Sequence, residues 1–223
     1  MVVPDLLRHR VEGEDGVGQR VWLYPETGFE CTYEAVVTVS RLPVELEGLQ
    51  QTSLPLLPDE AIKYLMSSRF CHPEQFHDFT ANTFGDLTGG ALMSAMTDWI
   101  TTNLSYVPGA SDAQTTAHDT FKSREGVCRD YAHVLIAMAR AVAIPARMVS
   151  CYAPDVDPQD FHAVAEIYLD GAWHLVDPTG MAKAEDIVRI GVGRDAADVS
   201  FLTAYGWLDL KTQTVDVNRL TDK

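Results

Sequence analysis

The clearest apolar pattern in the chain begins shortly after Gly126 and repeats at the spacing of an α-helix. Its members are Ala132, Leu135, Ile136, Ala139 and Ala143. Pro145 ends the pattern, because proline cannot continue a helix. The pattern therefore predicts a helix that begins near Cys128 and stops before Pro145.

A second pattern farther along the chain predicts a β-hairpin. Two runs rich in Val, Ile, Tyr and Trp flank the dipeptide Asp170-Gly171. Asp-Gly between two such runs is typical of a two-residue hairpin turn. A turn of this length pairs Leu169 with Ala172.

That register predicts which polar side chains of the hairpin share a face. Counting back from the turn, His162 and Asp177 project from the same face as diagonal neighbours, roughly 7–8 Å apart at the backbone. His174 has the opposite parity to Asp177 and is excluded from this pair. The hairpin alone is therefore expected to bring one histidine and one carboxylate within reach of each other.

Weaker patterns cover the rest of the chain. Strands are predicted at residues 20–24, 31–40, 146–152 and 212–217, and helical segments at residues 59–66, 89–100, 112–123, 182–187 and 195–205. These elements predict an α+β fold, in which a helical layer carrying Cys128 packs against an antiparallel sheet carrying His162 and Asp177. We expect an N-terminal β segment at residues 1–55, either separate or merged with the core, and a main domain at residues 56–223.

Cys128 falls at the first turn of the predicted helix. Unpaired N–H groups and the helix dipole favour an anion at this position, and the thiolate is the nucleophilic form of cysteine. The local pattern also fits a buried structural cysteine. His162 and Asp177 favour the catalytic interpretation, because an aspartate orients an imidazole that acts as general base.

Four stretches resemble the transglutaminase-like superfamily, which shares the papain-like catalytic arrangement. They are Gly126–Asp130, Ala143–Arg147, His162–Glu166 and Trp173–Thr179. The superfamily usually has glycine where this chain has Ala143. The tail at residues 193–199 also resembles a bacterial branch that is described as cysteine proteases.

The resemblance implies that Cys128, His162 and Asp177 act as a catalytic triad in acyl transfer through a thioester. Hydrolysis of a peptide or isopeptide bond is the first hypothesis, because water is always available as acceptor. Amine transfer from glutamine to lysine is the second, and a non-catalytic peptide-binding module is the third. Fold resemblance alone does not separate the first two.

Other polar residues near these motifs have structural as well as functional interpretations. The Cys128 backbone N–H is a natural oxyanion donor, and Trp99 and Tyr106 are candidates for a second one. Glu166 is expected to tune the site or, more simply, to form a surface ion pair. Arg147 is expected to pair with a carboxylate, and His133 is expected to point away from Cys128.

Composition restricts the partners. A net charge of −15 argues against nucleic acid and anionic membranes, which attract basic proteins, and a hydrophobic content of 46% is typical of a globular protein. The substrate is expected to be a peptide or protein.

The start of the chain lacks a signal-peptide core, so we expect a cytoplasmic protein with reduced cysteines. Residues 68–86 contain His, Cys and Asp without metal-binding spacing, and we predict neither a metal nor a cofactor.

Overall fold

The computed structural model describes residues 7–26 and 28–220. The helices are α1 (Asp59–Ile62), α2 (His77–Phe84), α3 (Gly89–Asn103), α4 (Ala117–Ser123) and α5 (Cys128–Ala141). The strands are β1 (Arg8–Glu12), β2 (Gln19–Leu23), β3 (Ser105–Tyr106), β4 (Glu125–Gly126), β5 (Ala146–Tyr152), β6 (His162–Leu169), β7 (Ala172–Val176) and β8 (Val188–Gly193). Among the described residues, no helix has both the length and the apolar character that crossing a bilayer requires.

The main sheet has four antiparallel strands in the order β7-β6-β5-β8. Side chains alternate between its two faces. Ala163, Ala165 and Ile167 of β6 pack in one cluster with the buried face of α5. Val164 belongs to a second cluster, which covers the opposite face. This is the predicted α+β arrangement, with a helical layer against an antiparallel sheet.

The β6–β7 hairpin has the predicted register, with Leu169 opposite Ala172. Asp170 and Gly171 both have positive φ values, 48° and 76°. This backbone geometry matches the twist of the flanking strands, and Asp-Gly adopts it readily. The local turn chemistry therefore sets the register of every residue farther along the hairpin.

Helix α5 ends in a Schellman motif. The Ile144 N–H donates to the Ala139 carbonyl at 3.0 Å, and the Ala143 N–H donates to the Arg140 carbonyl at 3.0 Å. Ala143 has φ 59°, the left-handed conformation in which helices usually place glycine. The departure from the superfamily pattern therefore leaves the helix end intact.

The N-terminal region differs in part from the sequence prediction. β1 and β2 form a separate two-stranded sheet, in agreement with the predicted strand at residues 20–24. Residues 31–40 form no strand, and the side chains of Val36 and Val37 are exposed. Strand propensity alone was insufficient here, because no neighbouring strand pairs with this segment. Residues 1–6 and Thr27 of the predicted segment 1–55 lie outside the described residues, and the domain division stays a prediction.

Two predictions near the C-terminus are wrong, and one helix start is displaced. Residues 195–205 form a turn rather than a helix, because the Asp195 carboxylate accepts from the Ala197 N–H and shapes the chain locally. Residues 212–217 pair with no strand. The helix predicted from residue 112 begins at Ala117, where Thr116 and Asp119 form a capping box.

Candidate active site

Cys128 is the first residue of α5, and the backbone of Val127 before it is extended. The Asp130 carboxylate accepts from the Val127 N–H at 2.8 Å and from the Ser111 hydroxyl at 2.5 Å. Asp130 is fully buried, and it anchors the first turn of the helix from inside. The thiol is therefore held where the free N–H groups of the helix favour an anion.

Gly126 is required by the close approach of Asp130. A Cβ atom at position 126 would lie 2.7 Å from the Asp130 Cβ atom and 3.0 Å from its Oδ2 atom. Gly126 also pairs with Tyr106 in the short parallel β3–β4 bridge. This bridge brings Tyr106 beside the start of α5, a placement that no local pattern in the sequence predicts.

His162 and Asp177 are joined by a buried hydrogen bond. The His162 Nε2–H donates to Asp177 Oδ2 at 2.9 Å, and the two side chains are 1% and 2% exposed. The predicted placement on one face of the hairpin is observed. His174 lies elsewhere, with its Nε2 atom 3.1 Å from the Leu169 carbonyl oxygen.

The Asp177 carboxylate accepts three further hydrogen bonds. The Thr179 N–H and hydroxyl donate to Oδ1 at 2.9 and 2.7 Å, and the Ala182 N–H donates to Oδ2 at 2.8 Å. Burial acts to raise the Asp177 pKa, but the bonds and charge from His162 and the bonds from Thr179 lower it overall. Sequence reasoning missed Thr179, although Asp-Pro-Thr is typical of a side-chain-capped turn.

The second ring nitrogen of His162 is not used by Asp177. Nδ1 is buried and has no hydrogen-bond partner among the described residues. Burial acts to lower the His162 pKa, but the interactions with Asp177 and Cys128 raise it to about 9. Cys128 therefore lies close enough to His162 to stabilise the imidazolium.

Tyr106 completes the immediate surroundings of the thiol. Burial raises the Tyr106 pKa to about 12, the charge of Cys128 acts in the same direction, and a hydrogen bond from the Cys128 backbone opposes both. At neutral pH the phenol is therefore protonated and available as a donor next to Cys128. Trp99 instead stacks on Phe121, with ring centroids 5.4 Å apart, and serves packing.

The four cysteines are all free thiols, but their environments differ. Burial raises the pKa of Cys71 to about 12 and also raises that of Cys151. Cys31 is exposed and Cys128 is half-buried. Cys128 is therefore the thiol that combines access with a neighbouring cationic histidine.

Glu166 differs from the prediction of a surface ion pair. It is 2% exposed and accepts from Arg147 at 2.7 Å and from Arg189 at 2.9 Å. Arg147, as predicted, pairs with carboxylates, and its second partner is Asp15 at 2.7 Å. The expectation failed because a strand pattern does not reveal which chain segment will cover a sheet face.

His133 has a role in packing rather than in the candidate site. His133 is buried in α5, where its Nε2 atom accepts from the Ala196 N–H at 3.2 Å and its ring stacks on Phe70. Burial lowers the His133 pKa to about 4. Within the described residues, no three His, Cys, Asp or Glu side chains are grouped so that they could hold a metal ion.

Comparison with known proteins supports the fold. A solved structure from Cytophaga hutchinsonii, described as a "putative cysteine protease", superposes with a TM-score of 0.75 at 31% sequence identity. The match covers 89% of this chain and 71% of that one.

Curated relatives match over a shorter range. An uncharacterized protein of Mycobacterium leprae is 31% identical in an alignment of 136 residues, and the match covers 55% of this chain and 48% of that protein. A Mycobacterium tuberculosis protein is 30% identical in an alignment of 134 residues, and the match covers 53% of this chain and 43% of that protein. This chain thus matches about half the length of these relatives.

A family model for the transglutaminase-like superfamily matches residues 79–178, from α2 to just beyond Asp177. The chain belongs to the transglutaminase-like superfamily.

Proposed function

We propose that the protein is a cysteine-dependent hydrolase of peptide or isopeptide bonds, with Cys128, His162 and Asp177 as its catalytic residues. One observation carries the proposal. His162 uses Nε2 to bind the buried Asp177 carboxylate, while Nδ1 stays without a bonded partner next to the Cys128 thiol. This is the arrangement that a thiol nucleophile and its base require.

The reaction follows from these positions. The Cys128 thiolate attacks the amide carbonyl carbon and forms a bond between Sγ and carbon. His162 donates its Nδ1 proton to the leaving nitrogen, so that the carbon–nitrogen bond breaks and an amine departs. His162 then removes a proton from water, which attacks the thioester carbon, so that the bond between Sγ and carbon breaks, the acid is released and the thiolate and imidazolium are regenerated. Asp177 orients the ring and stabilises its positive charge.

Two donors suit the oxyanion that forms during each attack. The Cys128 backbone N–H lies at the helix start and donates to the oxygen of Tyr106 beside it, and an oxyanion that replaces this contact accepts from both groups. Loss of one such donor typically lowers the rate by roughly 100–1,000-fold. A Tyr106→Phe variant should therefore show a reduced kcat with little change in KM.

Hydrolysis is favoured over amine transfer by the name of the Cytophaga structure and by the half-buried thiol, which water can reach. The test incubates the protein with an amide library, with and without a primary amine, and identifies products by mass. Release of acid alone supports hydrolysis, whereas incorporation of the amine supports transfer. Cys128→Ala must abolish both products, and Cys31→Ala is the matched control.

The same chemistry indicates the cellular compartment and the kind of partner. A free catalytic thiol suits the reducing cytoplasm, and we propose that compartment with a peptide or protein as substrate. The net charge of −15 supports neither nucleic acid nor an anionic membrane as a partner.

A further inference from the structure

The C-terminal segment of residues 213–219, called the strap here, lies along the connection between β5 and β6. The Gln159 carboxamide binds its main chain at Val217, donating to the carbonyl at 2.7 Å and accepting from the N–H at 2.8 Å. A side-chain amide used in this way replaces the edge of a neighbouring strand. Such binding recognises an extended backbone without regard to its side chains.

Polar contacts hold both ends of the strap. The Gln213 amide donates to the Asp160 carboxylate at 2.7 Å. Arg219 pairs with Asp155 at 2.5 Å and with Asp186 at 2.9 Å. The three contact points span the whole connection that leads into β6.

The strap lies next to the candidate active site. Gln159 and Asp160 precede His162 by three and two residues, and three residues of extended chain span about 10 Å. Burial and Cys128 are the main causes of the raised Tyr106 pKa, and the charge of Asp160 adds to them. An extended chain bound by Gln159 and Asp160 therefore passes beside the proposed nucleophile.

A shallow depression of about 320 Å³, open to solvent, lies between the strap and the connection and is lined by Gln159, Asp160, Gln213, Thr214 and Val215. Most strap side chains are exposed, so the strap is held mainly by polar contacts rather than by apolar burial. Segments held in this way detach at a small fraction of the cost of global unfolding.

We propose that Gln159 binds the main chain of an extended polypeptide substrate while Asp160 accepts from one of its side-chain donors, and that the strap occupies this site in the resting protein. The inference rests on the proposed hydrolase function and narrows its substrate class to unfolded or extended polypeptide segments. The strap is tethered, and a short tether gives an effective concentration near the millimolar range. It therefore acts as a built-in competitor, which extended substrates displace.

The test uses the full chain with the strap weakened by Gln213→Ala and Arg219→Gln together. Lys211→Gln is the matched control, because Lys211 lies just outside the strap and pairs with Asp209. Two electrophiles probe Cys128, namely iodoacetamide and a hexapeptide vinyl sulfone. We expect the weakened variant to react about tenfold faster with the peptide probe, equivalent to about 1.4 kcal/mol. Its rate with iodoacetamide should change less than about twofold on the same scale.

A second substitution tests the binding residue itself. Gln159→Glu removes the donor to the main-chain carbonyl, and in the weakened background it should reverse most of the gain with the peptide probe only. A synthetic peptide of residues 209–220 should also protect Cys128 of the weakened variant. Equal peptide-probe rates in the weakened and unmodified proteins, or no effect of Gln159→Glu, would overturn the inference. Failure of both probes to label Cys128 in every variant would instead overturn the proposed function.

Discussion

Strand β6 carries two buried charged side chains on one face, His162 and Glu166, with opposite surroundings. They are four residues apart and 1% and 2% exposed. Both oxygens of Glu166 are bound, by Arg147 and Arg189. His162 has one nitrogen bound by Asp177 and one without a bonded partner, beside Cys128.

The surroundings of Glu166 form a closed network. Three acidic and three basic side chains belong to it, namely Glu14, Asp15, Glu166, Lys63, Arg147 and Arg189. Their formal charges cancel. The Arg147 guanidinium also lies 4.1 Å from the centre of the Trp173 ring. Each charged side chain of this network is paired with one of opposite charge. The network therefore holds the N-terminal segment against the sheet.

The comparison separates two uses of buried charge. A group with all its hydrogen-bonding capacity used has one stable arrangement and contributes to the structure. A group with one buried, unused nitrogen next to a nucleophile can exchange a proton there. Substitutions at His162 and at Glu166 should therefore affect different measurements, and four predictions test that separation.

The largest effect is expected on catalysis. Cys128→Ala and His162→Gln should each lower kcat/KM for a hydrolysed amide by roughly 10⁴-fold or more, and the double variant should be no worse, because the residues act as a unit. Glutamine at position 162 keeps a donor for Asp177. Urea unfolding of Cys128→Ala should stay close to that of the unmodified protein. Equal damage from His174→Ala would contradict the assignment.

Glu166→Gln should act on stability instead. It removes the more deeply buried of the two carboxylates that pair with Arg147, and breaking a buried pair typically costs about 3–5 kcal/mol of unfolding free energy. Urea unfolding measures this loss, with the exposed Glu34→Gln as control. The remaining folded protein should keep its activity. A loss below about 1 kcal/mol, the usual value for surface pairs, would mean that the network is not structural.

The stability of the His162 end should depend on pH. Burial opposes the proton, but Asp177 and Cys128 raise the His162 pKa to about 9, above the value of about 6.5 in an unfolded chain. The folded state thus binds this proton more tightly. The resulting stabilisation, about 3 kcal/mol, is complete below about pH 6.5 and is lost as the pH rises to about 9.

Unfolding free energies from pH 6 to 9.5 test this window. The stability difference between the unmodified protein and His162→Gln should shrink as the pH rises. A constant difference across the range would show that His162 keeps the same charge in both states.

The smallest effect is expected at the rim of the Glu166 network. Asp15 pairs with Arg147 at 2.7 Å, but its side chain is 16% exposed. Water therefore screens the pair more than it screens Glu166. Asp15→Asn should lower the unfolding free energy by about 1 kcal/mol, with no change in kcat. A loss of unfolding free energy as large as that of Glu166→Gln would contradict the prediction that Asp15 contributes less to stability than Glu166.

Local patterns in the sequence were sufficient for the parts that carry the candidate site. The Asp170-Gly171 turn sets the hairpin register, and the register alone places His162 and Asp177 on one face. The apolar repeat ended by Pro145 predicted α5 with Cys128 at its start. Strand β5 also has the predicted bounds of residues 146–152.

The incorrect predictions share a cause. Residues 31–40 have strand propensity without a partner strand, and residues 195–205 have helical spacing but are shaped by the Asp195 carboxylate. Propensity is a weak signal that tertiary contacts override. The start of α4 was displaced because Thr116 caps it, whereas Asp112 caps a separate turn.

The sequence by itself determined the features that depend on local patterns. These are the start of α5, the turn of the hairpin and, through the register that this turn sets, the shared face of His162 and Asp177. Tertiary structure alone decided that Glu166 is buried, that Tyr106 lies beside Cys128 and that Gln159 binds Val217. Each of these needs segments from 20 to 151 residues apart to meet, as Tyr106 meets Gly126 and Asp15 meets Glu166 through Arg147. Helical and strand periodicity describe which face a side chain takes, but they carry no information about what covers that face.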